Sequence, residues 1–366
     1  MAHVEKRDDN RWRARLRGPD GRERSKTFTK KGDAEKWLDV QRGQLAKGDW
    51  VDPSAGRATF GAFCADWRRG FSGRASSLEQ LDSVLRNRIL PTWQHRAVAS
   101  ITRGEVQAWV NELSKRLAPA TVELTYRRFA TVMLFAVEER VIGVSPCRRI
   151  ALPELHHQQV RPPSRDAVAG FTDALPDHLR AAAVLAAGSG LRQGEVLGLT
   201  VDRVDFLRRQ LRVDRQLVTL TGAGPVLGSP KTKASVRTVP VGRVVIDELA
   251  AHLAAFPPTT AEGFIFETLG GRPWRRNRFI GIVNTARTRA GLTDFTFHDL
   301  RHFYASLLIE AGEPSHVIKE RLGHASITET HDVYGHLFES ADERTRDATD
   351  KALRGFSRPG HGLSEA

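Results

Sequence analysis

The stretch from Phe297 to His336 constrains the fold of this chain more than any other part of the sequence. Its first part places apolar residues at the i, i+3, i+4, i+7 and i+8 spacing that is typical of one buried helix face. These residues are Leu300, Phe303, Tyr304, Leu307 and Leu308. The spacing predicts a helix that packs one face against a protein core.

Helix boundaries can be recognised in the rest of the stretch. Gly312 is expected to end the first helix, and Pro314 suits the first turn of a second helix, which should stop at Gly323. Ser326 and Glu329 then have the S-x-x-E spacing of a capping box, which marks the start of a third helix. We therefore expect three helices folded over one another.

Four side chains in this stretch suit one kind of chemistry. His298 and Arg301 lie three residues apart on a helix face that differs from the apolar one, so both can point at one ligand. His324 follows the second helix, and Tyr334 lies on the third. Arginine offers a planar fork of donors to phosphate oxygens, histidine can move a proton near neutral pH, and tyrosine can be a covalent nucleophile. The set predicts attack by a tyrosine on a phosphodiester.

Five motifs, in this order, resemble those of the tyrosine recombinases, the phage integrase family. The H-x-x-R, L-G-H and tyrosine elements are similar to the C-terminal box of that family. Upstream, residues 190–195 read GLRQGE and resemble its first arginine motif, G-L-R-x-x-E. Residues 230–233 (PKTK) and 237–240 (RTVP) resemble the β-hairpin that carries its lysine. One such motif is a weak signal, but five in order over about 150 residues are a strong one.

The resemblance implies catalytic roles for Arg192, Lys231, His298, Arg301, His324 and Tyr334. The tyrosine would be the nucleophile, and the arginines would hold the non-bridging phosphate oxygens, where charge grows in the transition state. The histidines would hydrogen-bond the phosphate or move protons. Lys231 would protonate the departing 5′ oxygen as a general acid. Lys233 is the alternative, because hairpin register decides which lysine reaches the site, and the other lysine would contact backbone phosphate.

The histidines leave a metal site as an alternative. His298 and His302 are i and i+4 on the predicted helix, as in some zinc enzymes, but the expected glutamate is missing and Arg301 would repel a cation. His302, His331 and His336 match no catalytic position of the family, and we expect His302 to be structural or to lie behind the site. The family chemistry implies no metal and no cofactor, because the covalent intermediate keeps the energy of the broken bond.

Charge and cysteine content bound the partner and the compartment. The 366 residues carry a net charge of +13, and the pI is about 10.3, which favours a polyanion, either nucleic acid or an anionic membrane surface. No apolar run is long enough to span a bilayer, and no secretory signal opens the sequence. Cys64 and Cys147 form no metal-binding spacing, so both are expected to be core thiols in a reducing cytoplasm.

Residues 1–48 predict a small β-β-β-α domain in which the segment 11–17 alternates strictly between basic and apolar or small residues. The basic positions are Arg11, Arg13, Arg15 and Arg17. The domain resembles the arm-type DNA-binding domain at the N-terminus of many integrases. We expect the arginines to contact DNA, because four of them on one face would repel each other unless phosphate were nearby. A solvated charged face is the alternative.

Residues 58–150 predict an all-helical domain, because apolar residues recur at helical spacing along four segments. The resemblance implies the core-binding domain of the integrases, a helical bundle that clamps DNA opposite the catalytic domain. Four basic residues are candidate phosphate contacts, and each is about as well explained as a solvated surface charge. They are Arg103, Lys115, Arg127 and Arg128.

A proline-rich linker precedes a predicted catalytic domain at residues 164–345, mainly helical with a small antiparallel sheet. Residues 346–366 form a tail whose Gly/Pro/Ser-rich end is expected to be disordered. The predicted fold class is therefore mixed α+β and mostly α.

The leading hypothesis is a site-specific recombinase that breaks and rejoins DNA through a 3′-phosphotyrosyl intermediate and a Holliday junction, and so integrates or excises a mobile element. The implied partners are double-stranded DNA with attachment-type sites, three further copies of the chain on that DNA, and accessory DNA-bending or directionality proteins. A type IB topoisomerase shares the same chemistry, but the N-terminal domain argues against it. A DNA-binding protein that has lost catalysis is the other alternative, and the complete residue set argues against it.

Overall fold

The computed structural model describes residues 2–19, 21–47, 50–52, 55–155, 159–220, 224–230, 232–335 and 341–354. The chain divides into two compact units, residues 1–156 and 157–366. Their backbone is mostly helical with small antiparallel sheets, which confirms the predicted mixed α+β class. Lys231, His336 and the last twelve positions of the predicted tail, 355–366, lie outside the described residues. Nowhere in the described ranges is a helix long and apolar enough to cross a membrane.

The first unit opens with a three-stranded antiparallel sheet and a helix, as predicted, and the strands pair in the order β1–β2–β3. The elements are β1 His3–Lys6, β2 Trp12–Arg17, β3 Glu23–Phe28 and α1 Lys31–Lys47. Ala14 and Leu16 of β2 pack into a core that Ala34 and Leu38 of α1 and Trp50 complete. The alternation of β2 thus leaves its arginines on the opposite face of the strand.

The rest of the first unit is helical and has its own core. Its helices are α2 Phe60–Gly70, α3 Ala75–Val84, α4 Leu90–Trp93, α5 Arg103–Ser114 and α6 Pro119–Glu138. A π-type turn, Leu85–Ile89, joins α3 to α4. In the core the ring of Phe129 stacks on Phe60 at 5.3 Å and on Trp93 at 5.2 Å between ring centroids. The predicted helical character of this region is confirmed.

The second unit combines further helices with short strands. Its first helices are α7 Arg165–Ala174, α8 Asp177–Ser189, α9 Gln193–Leu197, α10 Arg243–Ala255 and α11 Arg276–Arg289. These are followed by α12 Asp299–Glu310, α13 Ser315–Leu322, α14 Ile327–Tyr334 and α15 Ala341–Leu353. The strands are β4 Val204–Asp205, β5 Gln210–Val213, β6 Gln216–Thr219, β7 Pro225–Gly228 and β8 Arg237–Pro240. The central helix is α8, which packs against α7, α9, α10 and α12.

The strands beside the lysine segment do not form the predicted β-hairpin. In the described part of the chain, β7 pairs with β6, whereas β8 pairs with β5 at the edge of a β4–β5–β8 sheet. Lys233–Ser235 form a 3₁₀ turn before β8. The prediction was wrong because burial in the core, and not proximity in the sequence, decides which strand pairs with β8. Val239 of β8 lies opposite Leu211 of β5, and both side chains are fully buried.

Gly190 ends α8 and permits its close approach to α12. Its φ is +65°, and a Cβ at this position would overlap the ring of Tyr304 and lie 3.0 Å from Cδ2 of Leu322. We expect Gly190→Ala to lower the free energy of unfolding by about 2–4 kcal/mol, because left-handed backbone strain and overpacking add. Denaturant unfolding measures the change.

Gly281 provides the matched control for this substitution. It lies exposed within α11, and a Cβ there would meet nothing within 4 Å. Gly281→Ala should raise stability by up to about 1 kcal/mol, since alanine is the better helix former. Equal stability of Gly190→Ala and the wild type would contradict the close packing of α8 on α12.

Candidate active site

The three predicted helices α12, α13 and α14 form, and local chemistry sets their ends. Pro314 is the residue before α13, and Gly323, with φ of +64°, ends that helix. Ser326 Oγ accepts the backbone N–H of Glu329 at 3.2 Å and so caps α14. The Glu329 carboxylate accepts the N–H of Ala325 at 3.1 Å, one residue before the position that a standard capping box uses. Together the turns bring Tyr334 of α14 back to His302 of α12.

Helix α12 buries more than the predicted apolar face. Leu300 and Tyr304 are buried as predicted, whereas the other three residues of that stripe are half-buried. Arg301, predicted on a separate face, is only 2% exposed, and its Nη1 donates to the carbonyl of Gly190 at 2.7 Å. Burial and the nearby charge of Arg192 lower the pKa of Arg301 to about 9. An anion bound beside Arg301 would offset both effects, because an opposite charge favours the protonated guanidinium.

Arg192 stands immediately before α9, where its side chain is fixed by two hydrogen bonds. Nη1 donates to Oε1 of Glu195 at 3.1 Å, and Nη2 donates to the carbonyl of Gly323 at 3.2 Å. The backbone N–H of Arg192 donates to the same carboxylate at 2.9 Å. About a third of the Arg192 side chain, 33%, stays exposed. The Glu195 pairing that sequence spacing suggested therefore holds the arginine in place and leaves it open to a ligand.

Arg237 is a structural member of the site that sequence analysis missed. Its Nη2 and Nη1 donate to the two carboxylate oxygens of Glu195 at 3.0 and 3.2 Å, and its Nε donates to the carbonyl of Arg321 at 2.7 Å. The signal was a charged residue in phase with Val239 on the buried face of a strand, a position that requires a partner. Arg237 thereby ties β8 to α9 and to the end of α13.

These side chains leave the site with excess positive charge. Burial raises the pKa of Glu195, but the charges of Arg237 and Arg192 outweigh it and hold this pKa below its ordinary value, so the carboxylate is ionised. In the described part of the site, the three guanidiniums of Arg192, Arg237 and Arg301 face this one buried carboxylate. Such an arrangement suits a phosphate whose negative charge increases during reaction.

Tyr334 is the last residue of α14 and is only 1% exposed. Its hydroxyl lies 2.8 Å from Nδ1 of His302, and its ring lies nearly parallel to that of His324, with centroids 6.5 Å apart. Burial raises the pKa of Tyr334 to about 12, although the charges of Arg301 and Arg192 act in the opposite direction. The phenol is therefore protonated at neutral pH.

The two predicted catalytic histidines, His298 and His324, are uncharged at neutral pH. Part of the His298 side chain is exposed, but desolvation by the protein packed around its ring, together with His302 and Arg301, lowers the pKa of His298 to about 4. Burial and the arginine charges lower the pKa of His324 to about 3. Nδ1 of His324 lies 2.8 Å from Oγ1 of the buried Thr330, which fixes the ring and leaves Nε2 for a ligand.

The metal alternative gains no support from the residues that the structure describes. The rings of His298 and His302 meet edge to face with centroids 4.9 Å apart. Across the described ranges, no group of three His, Cys, Asp or Glu side chains is arranged to hold a metal ion. His331 is exposed on α14.

The choice between the two lysines stays a prediction. Lys231 lies outside the described residues, and of Lys233 only the backbone, in the 3₁₀ turn, is described. Thr232 and Ser235, which flank Lys233, join their hydroxyl oxygens at 2.9 Å.

Two of the four N-terminal arginines that were expected to repel each other have acidic partners in the structure. Arg15 forms ion pairs of 2.7 Å with both Glu5 and Glu23, and Arg13 lies 3.9 Å from Glu5. Neighbouring strands thus supply the opposite charge, and mutual repulsion of the arginines does not by itself demand phosphate. Arg11 and Arg17 are exposed. DNA contact by these four residues stays a prediction.

The four basic residues of the helical domain are placed differently from one another. Arg103 donates from Nε and Nη2 to two backbone carbonyls, those of residues 148 and 149, at 3.0 and 2.9 Å, which is a structural role. Lys115 pairs with Glu112 at 2.9 Å, and Arg127 pairs with Glu123. Arg128 is half-buried on α6. Of the two residues in these ion pairs, Arg127 has the slightly more exposed side chain, at 73% against 71% for Lys115.

Comparison with known proteins assigns both ends of the chain. The model of the phage integrase family matches residues 166–341, which contain every described residue of the site. A second model, for the N-terminal domain of phage integrases, matches residues 3–47, the β1–β3 sheet and α1. The two matches therefore cover the candidate site and the basic N-terminal sheet.

Relatives that match 66% and 80% of this chain agree with these matches. The chain is 30% identical to the tyrosine recombinase XerC of Mycobacterium sp. strain KMS over 259 residues, 66% of this chain and 80% of that protein. It is 28% identical to the integrase of Mycobacterium phage FRAT1 over 311 residues, 80% of this chain and 91% of that protein. A λ integrase tetramer bound to a Holliday junction shares the fold, with a TM-score of 0.59 and 18% identity, covering 89% of this chain and 96% of that one. The chain belongs to the phage integrase family and is a tyrosine-type site-specific DNA recombinase.

Proposed function

We propose that Tyr334 attacks a DNA phosphodiester to form a 3′-phosphotyrosyl link, and that strand exchange through a Holliday junction integrates or excises a mobile element. The observation that carries this proposal is the position of the Tyr334 hydroxyl, 2.8 Å from His302 and near enough to Arg301 and Arg192 for their charges to act on its pKa. A buried tyrosine with only a packing role would not need this surrounding of cations and imidazoles.

Arg192 and Arg301 are proposed to hold the non-bridging oxygens of the scissile phosphate. In the described part of the chain, hydrogen bonds use only one donor of Arg301 and leave most of its fork for a ligand. The neutral rings of His298 and His324 would donate or accept hydrogen bonds at the same oxygens. Lys231, or Lys233 in its place, would protonate the leaving 5′ oxygen. This chemistry uses no metal or cofactor.

The substrate is proposed to be double-stranded DNA with attachment-type sites. We assign residues 1–48 to binding of arm-type sites, 58–150 to core binding, 164–345 to catalysis and 346–366 to a C-terminal tail. A homotetramer on two DNA duplexes, with accessory DNA-bending or directionality proteins, would carry out the reaction in the bacterial cytoplasm. The λ integrase tetramer on a Holliday junction supports this stoichiometry by analogy of fold alone.

The buried position of Tyr334 has one consequence for this proposal. With 1% of its surface exposed, the side chain does not meet a DNA phosphate until part of its cover moves.

Covalent trapping tests the proposal directly. The full chain is incubated with nicked duplexes of randomised core sequence, and covalent adducts are isolated under denaturing conditions, digested and analysed by mass spectrometry. The chain has three tyrosines, so the site of attachment is unambiguous. We expect the phosphodeoxynucleotide on Tyr334. Attachment at Tyr126 or Tyr304, or retention of duplexes with no covalent product, would contradict the proposal; the second outcome would favour a protein that binds DNA without catalysis.

A further inference from the structure

His302 touches the atom that the proposed mechanism makes reactive. It lies on α12 one residue after Arg301, and its Nδ1 is 2.8 Å from the hydroxyl oxygen of Tyr334. The two rings meet edge to face, with centroids 5.7 Å apart and an interplanar angle of 65°. On its other side the imidazole meets the ring of His298 at 4.9 Å. This packing from both sides fixes the direction in which Nδ1 points.

The direction of the proton in this hydrogen bond follows from burial. Tyr334 is 1% exposed, and a buried phenolic O–H requires an acceptor. Among the residues that the structure describes, Nδ1 of His302 is the hydrogen-bond partner of that hydroxyl. The tyrosine is therefore the donor, and His302 is the tautomer with its hydrogen on Nε2.

The surroundings of His302 keep this lone pair available. Burial and the charge of Arg301 lower the pKa of His302, whereas Asp299 on the same helix raises it, and the net pKa lies below the ordinary value. His302 is thus neutral at pH 7. From α14, its facing group is the protonated phenol of Tyr334, and from α12 itself the facing ring is the neutral His298.

We propose that His302 is the proton acceptor for Tyr334 during DNA cleavage. As the Tyr334 oxygen bonds to phosphorus, its proton passes to Nδ1 of His302, and the P–O5′ bond breaks with a separate proton supplied to O5′ by the general acid. In the joining step a 5′ hydroxyl attacks the phosphotyrosine and gives its proton to the deprotonated general acid, while the imidazolium of His302 returns its proton to the departing phenolate. The inference rests on the proposed role of Tyr334 as nucleophile.

The other two histidines are less suited to this step. Nδ1 of His324 is engaged by Thr330, and its ring lies parallel to the tyrosine ring at 6.5 Å. His298 contacts the ring of His302 and not that of Tyr334 in the described hydrogen bonds and ring contacts. Proton transfer needs a base within about 2.6–3.2 Å, and only His302 meets this distance in the described structure.

Single-turnover cleavage of two matched DNA substrates tests the inference. Both are nicked duplexes with the core sequence that the wild-type chain selects, and one carries sulfur in place of the bridging 5′ oxygen at the scissile phosphate. A thiolate leaves without a proton, so the sulfur substrate removes the need for a general acid but not for a base at the tyrosine. His302→Ala, His302→Asn, Lys231→Ala and the exposed His316→Ala, a control on α13, are compared on both.

We expect His302→Ala to slow adduct formation by about 10²- to 10⁴-fold on both substrates, while His316→Ala keeps the wild-type rate. With Lys231 as the general acid, Lys231→Ala should be slow on the oxygen substrate and be restored by sulfur; with Lys233 in that role, Lys231→Ala should stay close to the wild-type rate on both. His302→Asn places an amide near the position of Nδ1 and can hold the hydroxyl but cannot take its proton, so it should be nearly as slow as alanine. Added imidazole should partly restore His302→Ala.

Several results would overturn the inference. Restoration of His302→Ala by the sulfur substrate would place His302 on the leaving-group side. Wild-type rates for His302→Asn would reduce its role to positioning, and wild-type rates for His302→Ala would remove it altogether. The role of Tyr334 is tested separately, because the trapping experiment uses the wild-type chain and its result does not depend on the His302 variants.

Discussion

Replacing Tyr334 with phenylalanine is expected to abolish the covalent protein–DNA adduct on a nicked duplex while DNA affinity stays within about twofold of the wild type. The substitution removes one oxygen, the proposed nucleophile, and loss of a covalent nucleophile typically costs on the order of 10⁶-fold in rate. The ring stays in its packing among the residues of α12 and α13. Gel electrophoresis under denaturing conditions measures the adduct, and a binding titration at fixed salt measures affinity.

The stability of this variant should change little. Tyr334→Phe removes the hydrogen bond to His302, which is worth about 1 kcal/mol, and leaves Nδ1 without its donor. Tyr126→Phe is the matched control, because its hydroxyl donates to the carbonyl of Cys147 at 2.8 Å in the first unit, away from the site residues. An adduct that survives in Tyr334→Phe but disappears in Tyr126→Phe would reverse the assignment.

The largest loss of stability is expected from Glu195→Gln. The carboxylate is 2% exposed and receives hydrogen bonds from both Arg237 and Arg192. Glutamine keeps the shape but removes the charge, which leaves the buried guanidinium of Arg237 without a counter-ion. Breaking a buried ion pair from one side costs about 3–5 kcal/mol, because the remaining charge is neither hydrated nor compensated.

The measurement has to report on the second unit. Six of the seven tryptophans lie before residue 157, and Trp274 is the exception, so fluorescence would mainly follow the first unit. Hydrogen–deuterium exchange of α8 in increasing denaturant reports on the unit that contains Glu195. The control is Glu320→Gln, which removes an exposed pair with Arg321 at 3.2 Å and should change stability by less than about 0.5 kcal/mol.

A double substitution separates the ion pair from general damage. Arg237→Met combined with Glu195→Gln removes both charges. The free energy of unfolding of this double variant should fall by about 0.5–3 kcal/mol less than the sum of the losses in the two single variants. Additive losses, or a Glu195→Gln protein within 0.5 kcal/mol of the wild type, would show that Arg237 and Glu195 do not depend on each other.

Elements with a local pattern were predictable from the amino-acid order. The β1–β3 sheet with α1 followed from strict alternation and a helical repeat. Pro314 and Gly323 bound α13 as predicted. In each case the signal comes from residues within a few positions of one another, and the backbone preference or repeat acts over that same distance.

The candidate site was predictable as a list of residues but not as a geometry. Motif order identified Arg192, His298, Arg301, His324 and Tyr334, and the second unit brings all of them into one cluster. Motif order gave no role to Arg237, and it assigned β8 to the wrong strand partner. These errors concern contacts between segments, about which periodicity carries no information.

Sequence alone was enough to predict the three helices α12 to α14, the β1–β3 sheet with α1, and a list of candidate site residues, because short-range repeats and motifs encode these features. Tertiary packing alone decided that Arg301 reaches the carbonyl of Gly190, 111 positions away, that Arg237 pairs with Glu195 across 42 positions, and that His302 receives the hydroxyl of Tyr334 across 32. The physical reason is that burial and long-range contact set the charge state and direction of these groups, and both exist only once the helices have packed.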